Sequence, residues 1–341
     1  MGIVTLYKTD RLYYYCESSP RRPHGMAKVK FVLLILIIFV AGLYPEISAQ
    51  SPTDRQKVRT VSIPISIYTK KELREGQAEE FLQVDRLIVK ENRVEQTILS
   101  VRSVMDAPLA LAVLVQDDLV SNFNLQLNDL KGFIRKLPKG SRVMVAYLRG
   151  GRMDVRTRFT TDLEKAASSL RIVASSSSVS PRSPYDGVVD TLDRFDALPA
   201  GRRAILLVSD GVDLSQGGSA GSSITSIDLE RSAQRAQRKG VAIFSFYTPT
   251  VLTENGPSQR VLEGQSALAK LSDETGGRAF YQGSIAPVSY DPFFKELGIL
   301  LNRQFLLTYL STNMKRGYYR VDVTSTNPEV KIEHPRGYYY R

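Results

Sequence analysis

The chain has 341 residues, 43% hydrophobic and 24% charged, with a formal net charge of +11 and one cysteine. That balance excludes a disordered chain, and a single cysteine excludes a disulfide framework. The length allows about two domains of ordinary size.

Residues 1–25 carry Tyr13-Tyr14-Tyr15-Cys16 and Arg21-Arg22-Pro23 but no usable periodicity. They read as an over-called start or a long n-region. Met26 stands where a signal peptide begins. Lys28 and Lys30 precede the uncharged run Phe31–Tyr44, and Ile47-Ser48-Ala49 supplies small residues for cleavage. Residues 26–50 are therefore predicted to be a signal peptide. The uncharged run falls short of the about 20 residues a membrane-spanning helix needs, so an uncleaved anchor is the minority reading. Cleavage after Ala49 or Gln50 removes Cys16; without the leader's six Lys/Arg and three Asp/Glu the net charge is +8. An exported protein, periplasmic or secreted, is expected. Its basic residues (Lys70, Lys71, Arg142, Arg156, Arg202, Arg203, Arg235, Arg238, Lys239) are scattered. Scatter suits a solvated surface or an acidic partner rather than a nucleic-acid groove.

Residues 51–60 are polar and read as a linker. Val61, Ile63, Ile65 and Ile67 alternate with smaller or polar residues, the pattern of a half-buried strand. Alternating pieces at 86–90 and 94–104, separated by the turn Glu91-Asn92-Arg93, complete a small β-module over 61–106. From Leu109 the texture changes to strands alternating with helices. Strands are predicted at 111–116, 143–148, 155–160, 204–208, 241–247 and 278–281. Helical patterns run over 123–137, 163–172, 185–198, 227–239, 261–275 and 291–304. Residues 175–184, 215–223 and 248–260 read as loops, and 305–310, 318–324 and 330–332 finish as strands. The fold class is α/β, a doubly wound and mostly parallel sheet flanked by helices over 107–304, with strands of 305–341 packing on the β-module.

Two apolar runs end in acid and hydroxyl residues. Leu111–Val115 leads into Gln116-Asp117-Asp118-Leu119-Val120-Ser121, and Ala204–Val208 leads into Ser209-Asp210-Gly211. Ligands of such sheets bind at the carboxyl ends of the strands. Carboxylates and hydroxyls gathered there suit a hard divalent cation.

At these residues, and at Arg158-Phe159-Thr160-Thr161-Asp162, Leu268–Gly277 and Gln304–Tyr309, the chain resembles the von Willebrand factor type A domain. More narrowly, it resembles its exported bacterial branch, the VWFA-related acidobacterial family. The resemblance covers Val61 to Arg341 and implies a metal-ion-dependent adhesion site built from three loops. The first-loop pattern Asp-x-Ser-x-Ser reads here Asp117-Asp118-Leu119-Val120-Ser121, with Leu119 in place of a ligand serine. The second loop offers Ser183 or Ser180, and the third Asp210. The implied ligands of Mg²⁺ or Mn²⁺ are Asp117, Ser121, Ser183 and Asp210. An acidic group of a partner would take the open position, and Asp118 and Asp213 would stand on the rim with the loops 175–184 and 215–223. Leu119 has no lone pair and raises the desolvation cost of a cation beside it, so the site is degenerate. The alternative is that Asp117 and Asp210 are strand-end caps bonded to backbone amides.

An enzyme is not expected. The only histidines are His24, in the leader, and His334, near the end of the last predicted strand; no Gly-x-Ser-x-Gly elbow occurs. The function expected is a binding or adhesion module for a protein or envelope-surface ligand. A metal-independent assembly subunit is the alternative.

Overall fold

Alternating apolar residues at the front of the chain, and continuous apolar runs farther on, build two sheets. The computed structural model describes residues 57–75, 87–104, 107–150, 152–175, 183–198, 201–215, 223–283, 285 and 287–340. The expected signal peptide of residues 26–50 and residues 51–56 of the expected linker lie outside them, while the end of that linker, Arg59 and Thr60, already belongs to a strand.

The first sheet holds β1 (Arg59–Thr69), β2 (Leu87–Glu91) and β3 (Val94–Ser103). Helix α1 (Lys70–Glu75), which no sequence pattern announces, follows β1. β2 and β3 form a hairpin across Asn92 and Arg93, both left-handed (φ 49° and 71°), the backbone that a tight two-residue turn requires.

The second sheet takes β4 (Leu109–Gln116), β5 (Arg142–Arg149), β6 (Arg152–Thr160), β7 (Arg202–Ser209), β8 (Ala242–Tyr247) and β9 (Ala279–Phe280). Its order is β6-β5-β4-β7-β8-β9, parallel except for β6. The chain leaves β4 toward β5 on one side and returns at β7 on the other. The loops after β4 and β7 therefore flank the switch point, where a doubly wound sheet opens a crevice.

Helices cover both faces. On one, α2 (Leu127–Arg135), α3 (Leu163–Ser168) and α8 (Asp291–Asn302) pack on Leu111, Val113, Val115, Val145 and Phe246. On the other, α4 (Pro184–Arg194), α5 (Ile227–Lys239) and α7 (Ser258–Thr275) pack on Ala112, Leu114, Ala146, Ile205 and Leu207. Burial on both faces explains why β4, β7 and β8 contain no alternation. A short helix α6 (Val251–Glu254) interrupts the segment read as a loop over 248–260. The helix expected over 163–172 stops at Ser168.

The closing strands β10 (Gln304–Ser311), β11 (Gly317–Ser325), β12 (Val330–Glu333) and β13 (Gly337–Tyr340) belong to the first sheet. Its order is β12-β1-β10-β3-β2-β11-β13, antiparallel throughout. β10 lies between β1 and β3, so the closing strands are woven into the module rather than packed on it. Val61, Ile63, Ile65, Val89, Leu307, Tyr309 and Val321 form its core. Within that core Glu91 is buried and accepts from Tyr309 Oη (3.0 Å), Tyr338 Oη (3.0 Å), Ser311 Oγ (2.8 Å) and Asn313 Nδ2 (2.7 Å). Residues 56–341 form one compact unit. Arg278 joins the sheets by reaching Glu296, Glu333 and Tyr68, and Arg303 reaches Glu72 with Nε at 2.9 Å.

Candidate functional site

Asp117 follows β4 directly, and its backbone is pinned between neighbours: its N–H donates to Leu148 O (2.9 Å) and its carbonyl accepts from Ala174 N (3.1 Å). Its buried carboxylate meets a guanidinium face to face. Arg171 Nη1 donates to Oδ1 at 2.7 Å and Nη2 donates to Oδ2 at 3.1 Å. This two-pronged geometry is the strong form of the arginine–carboxylate contact. The Arg171 guanidinium also stacks over the Tyr147 ring, 4.3 Å from its centre. Tyr147 Oη donates to Arg171 O (2.6 Å) and accepts from Arg171 N (2.8 Å). Asn124 Oδ1 accepts from Val173 N at 2.9 Å, holding the next turn of chain in place. Burial pushes the Tyr147 phenol up, and Asp117 pushes the Arg171 guanidinium up.

Leu119 is completely buried and belongs to the core beneath α2 and α8. Its backbone bridges Thr250, and Val120 N donates to Pro249 O at 3.0 Å. The leucine is drawn into apolar packing at the position where the resemblance puts a ligand. Asp118 accepts from Gln116 Nε2 at 2.9 Å. Ser121 is exposed and opens the 3₁₀ turn Ser121–Gln126 without a side-chain cap.

Asp210 follows β7 and is fully buried. Oδ1 accepts from Val212 N (3.1 Å) and Oδ2 accepts from Thr250 Oγ1 (2.8 Å). Thr250 is itself the N-cap of α6, in a reciprocal capping box with Thr253. Gln116 ties the two strand ends together, its Oε1 accepting from Ser209 Oγ (2.6 Å) and Asp210 N (3.3 Å). Gly211 has φ 70°, and a Cβ there would lie 2.3 Å from Gly264 O, so the turn packs backbone against backbone on α7.

Ser183 caps α4, its Oγ accepting from Tyr185 N at 3.3 Å ahead of Pro184. Ser180 lies outside the described residues, as do residues 176–182 and 216–222 of the two expected rim loops. Asp213 braces its own loop: Oδ1 accepts from Ser215 N (2.9 Å), Oδ2 from Ser226 Oγ, and its N–H donates to Ser223 Oγ (3.2 Å).

A hard divalent cation needs about six oxygen ligands with free lone pairs. Here a guanidinium covers both Asp117 oxygens, Leu119 turns inward, and Ser183 oxygen caps a helix. Asp210 holds a hydroxyl and an amide. Among the described residues no cluster of three or more His, Cys, Asp or Glu is arranged for a metal. As arranged, Asp117, Ser121, Ser183 and Asp210 do not offer the set of free oxygens that the implied cation would need. The physical reason is that a positive charge already faces Asp117. Asp213 is engaged in bracing its own loop.

Three participants escaped the sequence reading. Arg171 lies in a segment whose pattern suggests a continuing helix. Tyr147 reads as an ordinary strand residue. Thr250 had a faint signal, since Thr250-x-x-Thr253 has the spacing of a cap.

The strand order, the switch point and the helices on both faces define a doubly wound α/β fold. Solved structures similar to the chain include a von Willebrand factor type A protein from Catenulispora acidiphila, at 11% identity and a TM-score of 0.42 over 83% of this chain and 73% of that one. Another is an aerotolerance-related membrane protein from Bacteroides fragilis, at 13% identity and 0.41 over 57% and 98%. A third is the manganese-loaded TRAP protein of Plasmodium vivax, at 12% and 0.38 over 73% and 96%. These likenesses concern the fold alone. No family model and no curated protein matches the chain.

Proposed function

We propose that this protein is an exported, non-catalytic binding module that takes a protein or envelope-surface partner at the carboxyl edge of its six-stranded sheet. The observation that carries the reading is the construction of that edge. The ends of β4 and β7 are cross-tied by Gln116, and are held by Arg171 of the segment after α3, stacked on Tyr147 of β5, and by Thr250 of the loop after β8, into a stiff platform with exposed Arg149 at its rim. Stiff platforms bind with little ordering cost. The one described histidine, His334, lies between β12 and β13, away from that edge, and is bonded to backbone, which supports a non-catalytic role. Export rests on the leader at residues 26–50. Among the described residues no helix is long and apolar enough to cross a membrane.

A metal-independent assembly subunit of a cell-envelope complex is the second reading, favoured by the Asp117–Arg171 pair. A photo-crosslinking residue at exposed Ser121 or Arg152 tests the platform. The expected result is one shared adduct from both positions and none from exposed Lys331 on β12. Equal labelling from all three would contradict a dedicated edge.

A further inference from the structure

The guanidinium at Asp117 belongs to a chain of alternating charges. Arg149 Nε lies 3.7 Å from Asp117 Oδ2; Arg171 grips the same carboxylate; Arg171 Nη2 lies 4.0 Å from Asp154 Oδ2; and Arg156 Nη1 lies 3.6 Å from that same oxygen. Arg152 stands directly across from Arg149 at the end of the β5–β6 pair. Three guanidiniums, of Arg149, Arg171 and Arg156, thus lie within 4.0 Å of two carboxylates. The exposures are graded: the Asp117 side chain is 4% exposed, Arg171 31%, Arg156 45%, Asp154 46% and Arg149 76%. The inner pair is fixed and the outer members are open to solvent.

We infer that Arg171, with Arg149 and Arg156, takes the part of the cation, and that the site binds an aspartate or glutamate side chain of a protein partner directly, without a metal. This rests on the reading of the sheet edge as a binding platform. Three observations point to a carboxylate on a protein. A guanidinium fork matches the plane of a carboxylate, and Arg171 already shows that match toward Asp117. Asp154 sits between Arg171 and Arg156 beyond hydrogen-bond distance of both, an internal carboxylate held loosely enough for an incoming one to displace. The Arg171 side chain is also only 31% exposed against 76% for Arg149, and such a recessed group suits one protruding side chain better than a flat lipid surface.

Asp154 therefore acts as a built-in competitor. Its removal should strengthen binding, an effect that a purely structural role for the arginines would not give. The test is fluorescence anisotropy of a labelled glutamate-rich peptide, with its glutamine counterpart as control, on the full chain at low salt. The peptide is expected to bind in EDTA, with no change on adding Mn²⁺ and with loss at high salt. Arg149→Ala and Arg156→Ala, both at exposed positions, should each weaken it about tenfold, and Asp154→Ala should tighten it several-fold. A requirement for Mn²⁺, an affinity untouched by Arg149→Ala and Arg156→Ala, or binding of phosphatidylglycerol vesicles but not of the peptide would overturn the inference. Failure of the peptide with the edge-specific cross-link intact sinks the carboxylate site and leaves the platform standing; failure of both sinks both.

Discussion

A buried carboxylate that loses its guanidinium keeps its desolvation cost and loses the compensation. Arg171→Ala should therefore lower stability by about 2–3 kcal/mol, the smaller end of the range for buried pairs because Arg171 is partly exposed. Adding Asp117→Asn should recover part of that loss in urea unfolding, since no buried charge then remains. An additive double variant would show that the two side chains act separately. His334 gives a second expectation. Its Nε2 accepts from Val323 N at 3.2 Å and Nδ1 lies 3.0 Å from Pro335 O, which fixes a neutral ring protonated on Nδ1. Burial holds its pKa below the ordinary 6.5. A lowered histidine pKa favours the folded state while the ring is neutral. The stability it supports is present above pH 6.5 and is lost as pH falls from there through the folded value. His334→Gln, which keeps an acceptor for Val323, should flatten that part of the pH profile; an unchanged profile would contradict the assignment. Neither Arg171 nor the His334 contact could be read in the sequence, because each depends on residues brought together by the fold.

Elements with both faces buried were readable, and elements fixed by local hydrogen bonds were not. β4 and β7 declare themselves as unbroken apolar runs because helices cover them on both sides. Gly211, φ 70°, lets the chain turn sharply after β7, a conformation that favours glycine. By contrast, α3 ends early where Ser169 Oγ donates to Ala166 O at 2.7 Å, and the chain then turns toward Asp117. α6 has four residues, too few to show any periodicity. The contact of Gly211 with α7 offers a sharp comparison. A Cβ on Gly264 would lie 2.0 Å from Asp210 O, whereas one on Gly298 of α8 meets nothing within 4 Å. Gly264→Ala should destabilise by about 3 kcal/mol or more through overpacking against backbone. Gly298→Ala should stabilise by about 0.5–1 kcal/mol through helix propensity. Thermal unfolding of the two variants reads the difference, and similar shifts would show that the strand-end turn does not lean on α7.

At the scale of the molecule, the two sheets share one chain path and several charged ties. β10 enters the first sheet between β1 and β3 straight after α8 has covered the second. Separate pieces of sequence indicated every strand except β13, but the interleaving depends on long-range pairing that alternation cannot reveal. Arg278, reaching Glu296, Glu333 and Tyr68, links α8 to β1 and β12. Arg278→Ala should lower the unfolding temperature; if it leaves that temperature unchanged, the tie is dispensable. The same scale explains the edge site. The segment after α3 places Arg171, and with it a positive charge, against Asp117 at the end of β4. The measurement that tests this most directly is titration of Mn²⁺ with the full chain, followed by the electron paramagnetic resonance of the free ion. The account predicts a free-ion signal undiminished by the protein. Stoichiometric loss of that signal, abolished by Asp210→Ala, would contradict it.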